Sequence, residues 1–157
     1  MIVDVDGTLC DVRGGIRHYV LADQLRRNFD AFHKASALCP PIPETLDWVQ
    51  GHRDAGNAII IVTARKRQWE YLTRRWLRKW DICHDLLLMR ADDDNRHDDL
   101  VKADILSSLR GRGFRIVAAI DDNPAIVALW EREGIPVTVV PGWFVPDKDA
   151  VTNMVPE

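Results

Sequence analysis

The chain has 157 residues, of which 46% are apolar and 29% charged, and a formal net charge of −3. That composition suits one globular domain over residues 1–157, with core enough to fold alone, and offers no overall attraction to polyanions. No apolar run approaches the ~18 residues that cross a bilayer, so no membrane partner is expected.

Asp4 and Asp6 break up any start of the signal-peptide kind. Cys10, Cys39 and Cys83 lack C-x-x-C spacing. They read as free thiols of a reducing cytoplasm, neither a disulfide frame nor a zinc site.

The first element is a short strand, "MIV", running into Asp4-Val5-Asp6-Gly7-Thr8. In a strand the two aspartates would share a face. From Leu9 to Pro41 no strand is evident; a helix is predicted around His18 to Ala37. This stretch, about residues 10–41, reads as a small helical insertion over the carboxyl edge of a sheet. Pro43 near a first turn and Gly56 near a last one frame the next helix. "AIIIV" is a strand leading to Thr63. From Lys66 to Trp80 a helix carries Trp69, Leu72, Trp76, Leu77 and Trp80 as an apolar stripe, which places the tryptophans in the core. "LLLM" precedes Arg90, and "ADDDNRHDD" reads as a solvated loop. The helix after it, "HDDLVKADILSSLRGRG", has acids early and Arg and Gly late. "RIVAAI" leads to Asp121, "PAIVALWEREG" is a Pro-to-Gly helix, and "PVTVV" is the last strand. Residues after Gly142 read as a docked or loose tail. Continuous apolar runs of this length suit strands buried on both faces, and their alternation with helices predicts an α/β fold with a parallel sheet of about five strands.

The strand ends carry the chemistry. Asp4 and Asp6 follow the first strand, Thr63-Ala64-Arg65 the second, and Asp121-Asp122 the fourth. In an open α/β sheet, ligands bind beyond the carboxyl ends of strands, where strand order reverses. If the first and fourth strands are neighbours, three or four carboxylates converge there and call for a cation. An oxygen-only donor set points to Mg²⁺. Thr63 and the backbone N–H groups beyond it can then hold phosphate oxygens. Lys102 supplies a point charge. Gly7, with Thr8 beside it, lets the backbone approach a phosphate. Asp4 would attack phosphorus to give an aspartyl-phosphate, and Asp6 would serve as general acid, then base.

"DVDGT", "VTAR", Lys102 and "IDDNP" resemble the four motifs of the haloacid dehalogenase (HAD) phosphohydrolase superfamily, in order, over nearly the whole chain. The resemblance implies a HAD-like Rossmannoid three-layer sandwich. It implies Asp4 as nucleophile, Asp6 as general acid/base, and Thr63 and Lys102 as phosphate binders. It also implies Mg²⁺ on Asp4, on the carbonyl of Asp6 and on Asp121 and Asp122, with Asp122 preferred as direct ligand. Strand one is shorter than usual for the family. "RHDDLVKADI", "AIDDNPAIVALWEREGI" and the arginine of "VTAR" resemble more closely the 3′-phosphatase domain of phage-type polynucleotide kinase/phosphatase. In that family a basic residue soon after the first motif contacts phosphate; Arg13 and Arg17 are both candidates. No G-x-x-x-x-G-K-[ST] sequence occurs, so a phosphatase without a kinase is expected.

Several residues carry two readings. Arg65 either contacts phosphate or bonds nearby loop backbone. Asp98 and Asp99 read as favourable charge in a first helical turn. Arg90 and Arg96 are candidates for reaching substrate. Residues 65–79 hold seven of the 21 Lys and Arg, with Glu70 the sole acid. Their face is either a ramp for a nucleic-acid backbone or an ordinary solvated surface. The leading function is thus an Mg²⁺-dependent phosphomonoesterase acting on nucleic-acid 3′ ends, as in repair. A nucleotidase or other small-molecule phosphatase is the alternative, and a non-catalytic phosphate- or end-binding module a third. DNA against RNA, base preference and homo-oligomer formation stay open.

Overall fold

A computed structural model describes residues 1–21 and 27–142. The expected tail after Gly142 lies outside the described residues. Five parallel strands form one sheet in the order β3-β2-β1-β4-β5. They are β1 (Ile2–Val3), β2 (Ile60–Lys66), β3 (Leu86–Arg90), β4 (Ala119–Asp121) and β5 (Val137–Val139). Ile2 pairs with both Ile60 and Ala119. Strand order therefore reverses between β1 and β4, at the centre of the sheet.

Alternate residues of the central strands feed two cores. Val3, Ile59, Ile61 and Ile120 pack with Val49 of α3 (Pro43–Asp54) and with Trp76 and Leu77 of α4 (Glu70–Lys79). Ile2, Ile60, Val62 and Ala119 pack with Leu106 and Leu109 of α5 (Asp98–Gly111) and with Ile126, Leu129 and Trp130 of α6 (Pro124–Arg132). Helices on both faces of a parallel sheet make the three-layer sandwich that continuous apolar strands require. Among the described residues, no helix is long and apolar enough to cross a membrane.

Three expectations change. The single helix over His18–Ala37 is replaced by α1 (His18–Leu21) and α2 (Phe29–Ser36). Asn28 starts α2 anew: its side chain accepts the Ala31 N–H at 2.9 Å, and its backbone is non-helical. The helix over 66–80 begins later, at Glu70, after a 3₁₀ turn at Arg67–Trp69. The last strand is not buried on both faces; β5 lies at the sheet edge, with Val139 58% exposed. The insertion is fastened to the sandwich by the Trp76 indole N–H, which donates to the Cys39 carbonyl at 2.8 Å. Cys10 also bridges Pro41 in antiparallel fashion.

Candidate active site

β1 stops at Val3 and β4 at Asp121, and the two are neighbours, so Asp4, Asp121 and Asp122 meet beyond the carboxyl edge. All three are buried, and each offers an oxygen within 4.8 Å of the others'. Lys102, 2% exposed on the inner face of α5, reaches between them. Its Nζ donates to Asp4 Oδ1 at 2.8 Å and to Asp121 Oδ2 at 2.7 Å. One of its three N–H groups remains for a phosphate oxygen.

Burial raises the Asp4 carboxyl well above the usual range. Lys102 opposes the rise, while Asp121 and Asp122 add to it. Burial also works against the Lys102 ammonium, but the charges of Asp121 and Asp4 outweigh it and raise its proton affinity. Among the described residues, three acids therefore gather around one ammonium. That surplus of hard oxygen donors fits a divalent cation such as Mg²⁺.

The cluster is braced from behind. Thr8 Oγ1 donates to Asp122 Oδ1 at 2.9 Å, and the Asn123 N–H donates to Asp121 Oδ1 at 3.2 Å. Gly142, at φ +50°, lies so close that a Cβ there would fall 2.0 Å from Asp122 Oδ2.

Asp6 stands apart. Its carboxylate is absent from the acid triad, so an expected metal contact through Asp6 can involve only its carbonyl. Arg65 grips it instead, with Nε to Oδ2 at 2.7 Å and Nη2 to Oδ1 at 2.5 Å. Burial would raise the Asp6 carboxyl, but the charge and hydrogen bonds of Arg65 win and lower it. Arg65 is itself held by the hydroxyls of Thr73 (3.2 Å) and Ser36 (3.0 Å) and is 3% exposed. The structure gives Arg65 a partner, Asp6, that neither expected reading named. The cause is a bulge in β2: Thr63 pairs with Met89 and Lys66 with the next residue, Arg90, leaving Ala64 and Arg65 as extra residues. Thr63 to Arg65 thus belong to the strand rather than to a turn. The Arg65 N–H is already given to Thr63 Oγ1 at 3.2 Å.

A cleft of about 770 Å³ opens over both groups, lined by Asp4, Asp6, Thr63, Ala64, Arg65, Lys102, Asp121 and Asp122. Four expected substrate contacts fall elsewhere. Thr8 is buried behind Asp122. Gly7, at φ +89°, turns the chain and gives its N–H to the Cys10 carbonyl at 3.0 Å. Arg13 forms a fork with Asp11, at 2.8 and 2.7 Å. Neither Arg13 nor Arg17 lines the cleft. Arg90 does line it, but its guanidinium pins the acidic loop, bonding the carbonyls of Ala64 (2.9 Å) and Arg96 (2.6 Å) and the Asp98 carboxylate. Asp98 is thus more than first-turn charge. Arg96 is spent on Asp94 and Asp104.

The family model described as the polynucleotide kinase PNKP phosphatase domain, a HAD family, matches residues 1–144. The chain belongs to this HAD phosphatase family. A protein of Autographa californica nuclear polyhedrosis virus, named as a bifunctional polynucleotide kinase/RNA ligase, is 30% identical over 131 residues, which are 82% of this chain and 18% of the viral protein. A chain of the Pnkp1/Rnl/Hen1 RNA repair complex superposes with a TM-score of 0.72 at 24% identity, covering 88% of this chain and 41% of that one. The D,D-heptose 1.7-bisphosphate phosphatase of B. bronchiseptica, complexed with magnesium and phosphate, gives 0.57 at 14% identity, over 100% and 88%. The chain therefore spans less than half of the viral protein and of the repair-complex chain. The fold is that of HAD hydrolases, and the chain is a phosphatase.

Within this HAD phosphatase some residues that shape the site escape sequence reasoning. Ser36 and Thr73 hold Arg65 from positions 29 and 8 residues away, with no motif to mark them. Trp69, expected in the core, lines the cleft beside Phe29, Phe32 and His33, while Trp76 is buried as expected. The basic face of α4 (Arg74, Arg75, Arg78, Lys79) is exposed and lies outside the cleft lining.

Proposed function

We propose that this phosphatase removes the terminal phosphate from nucleic-acid 3′ ends, with Mg²⁺ as cofactor. The observation that carries the reading is the acid cluster at the floor of a cleft whose rim is exposed (Arg27, Phe29, Asp30, Gln68). A polymer end needs such a rim, whereas a small ester is better served by a cap that excludes water. The match to a PNKP phosphatase domain over residues 1–144 supports the same choice.

In the first half-reaction an Asp4 oxygen attacks phosphorus, and the bond to the 3′ oxygen breaks. Asp6 delivers the proton that the departing hydroxyl needs. In the second, Asp6 takes a proton from water, the water oxygen attacks the aspartyl-phosphate, and Asp4 is regenerated with release of phosphate. Arg65 favours the ionised Asp6 required in the second half. The incoming phosphate dianion, a like charge, favours the protonated form required in the first. Lys102 and Thr63 hold phosphate oxygens. Asp4, Asp121, Asp122 and the Asp6 carbonyl would hold Mg²⁺, which when bound supplies charge stabilisation to the phosphoryl group.

The outlying basic face of α4 favours a second reading, a phosphatase of nucleotides or other small esters. Phosphate release from a 3′-phosphorylated oligonucleotide and from a 3′-mononucleotide, at two salt concentrations, separates the two. The proposal expects higher kcat/KM on the oligonucleotide and a loss of that advantage in salt. Preference for the mononucleotide without salt dependence would replace it with the small-ester reading.

A further inference from the structure

We infer that Trp69, His33 and Phe29 form a platform on which the terminal base of the substrate stacks while its phosphate lies at Asp4; the inference rests on the nucleic-acid reading above. The platform is anchored at the catalytic floor. Ser36, at the end of α2, accepts from Arg65 Nη2 at 3.0 Å, and Arg65 holds Asp6. His33 and Phe29 lie three and seven residues before Ser36, so they climb one face of α2 from that anchor. Seven residues of helix rise about 10 Å, enough to carry a surface from the phosphate past the sugar to the base.

The rings form a continuous wall. Phe29 and His33 are stacked with centroids 6.3 Å apart and planes 28° apart. Trp69, on the 3₁₀ turn, packs beside His33 with centroids 5.5 Å apart and planes 46° apart. Phe32, buried, supports His33 edge-on at 5.2 Å. All four rings line the cleft that holds Asp4 and Asp6. His33 is 8% exposed, and its Nδ1 has no hydrogen-bond partner among the described residues. Burial holds it neutral, with a pKa pushed down to about 4 despite Asp6 nearby. It therefore fills the wall between Phe29 and Trp69 as a neutral ring rather than a cation. Phe29 is 51% exposed.

A lone exposed phenylalanine needs no explanation. A run of rings leading up from a phosphate site, with Arg27 and Lys66 in the same cleft, suits a nucleotide. Base-aromatic stacking tolerates any base, because each has a π-face. The platform therefore reads the presence of a base rather than its identity.

The test uses two oligonucleotides, both 3′-phosphorylated, one with a normal terminal nucleotide and one with an abasic terminal sugar. The wild type should prefer the base-bearing end by about tenfold in kcat/KM, the scale of one stack. Phe29→Ala and Trp69→Ala should collapse that ratio toward one, and Trp69→Phe should retain most of it. Equal turnover of both ends by the wild type overturns the platform while leaving the 3′-phosphatase reading intact. Equal losses on both ends in the variants overturn it too, since the rings would then be supporting the fold. No turnover of either oligonucleotide overturns the 3′-phosphatase reading and the platform with it.

Discussion

Asp4 and Asp6 leave the same loop and line the same cleft, yet their charge balance is opposite. Asp4 shares the Lys102 ammonium with Asp121, and Asp122 adds a third acid, so among the described residues its surroundings hold more acid than base. Asp6 has a guanidinium gripping both of its oxygens. A surplus of buried acid is a place waiting for positive charge. A matched pair is a device for holding one carboxylate in one place. The difference explains how two aspartates one residue apart can take different chemical roles.

The largest expected effect breaks the acid-rich side. Asp4→Asn should lower phosphate release on the order of a thousandfold or more, because an amide is a poor nucleophile. Its thermal unfolding should be no lower than that of the wild type, since the change relieves repulsion. Near-normal steady-state rates would exclude Asp4 as nucleophile.

Next is Lys102→Met. Removing the ammonium that bridges two buried acids should cost about 3–5 kcal/mol in denaturant unfolding. In an Asp4→Asn background the same change should cost less, and that coupling would show that Lys102 serves the acids rather than the packing of α5. Additive losses would contradict it.

On the balanced side, Arg65→Lys keeps the charge but loses the fork. It should reduce kcat by about tenfold, the scale of one charge-assisted hydrogen bond, with a smaller change in KM. Rates equal to wild type would remove Arg65 from the positioning of Asp6.

How much of this was legible follows from how local each cause is. Asp4, Asp6 and Asp121-Asp122 stand at or just beyond strand ends, Thr63 stands within β2 and Lys102 on a helix, and apolar runs mark the strands. The expected neighbours, β1 and β4, bring them together. The role of Arg65 depends on a two-residue bulge in β2 and on partners up to 59 residues away, none of which leaves a local pattern. Counting helical turns from Lys66 places Trp69 in the core. The chain there is a 3₁₀ turn up to Trp69, with a larger rotation per residue, which turns that ring to the cleft. The apolar run places Val139 in a buried strand, but a run cannot report that β5 has one neighbour rather than two.

A smaller effect concerns the wall above Asp6. The His33 pKa in the folded chain, about 4, lies below its unfolded value of 6.5. The unfolded chain therefore binds more protons between those values, and stability contributed by neutral His33 is present at higher pH and lost as pH falls. Between about pH 7 and about pH 5 the loss should be roughly 1–2 kcal/mol. Denaturant unfolding at the two values should show His33→Phe flattening the slope. An unchanged slope would mean that His33 is not held neutral.

The contrast between the two carboxylate sites is tested most directly by titrating Mg²⁺ into EDTA-stripped protein and following thermal unfolding. The wild type and Arg65→Lys should both gain in Tm with saturation, because the acid triad is intact in each. Asp122→Asn should lose most of that gain. An equal rise in Asp122→Asn, or none in the wild type, would contradict a cation site built from the surplus acids.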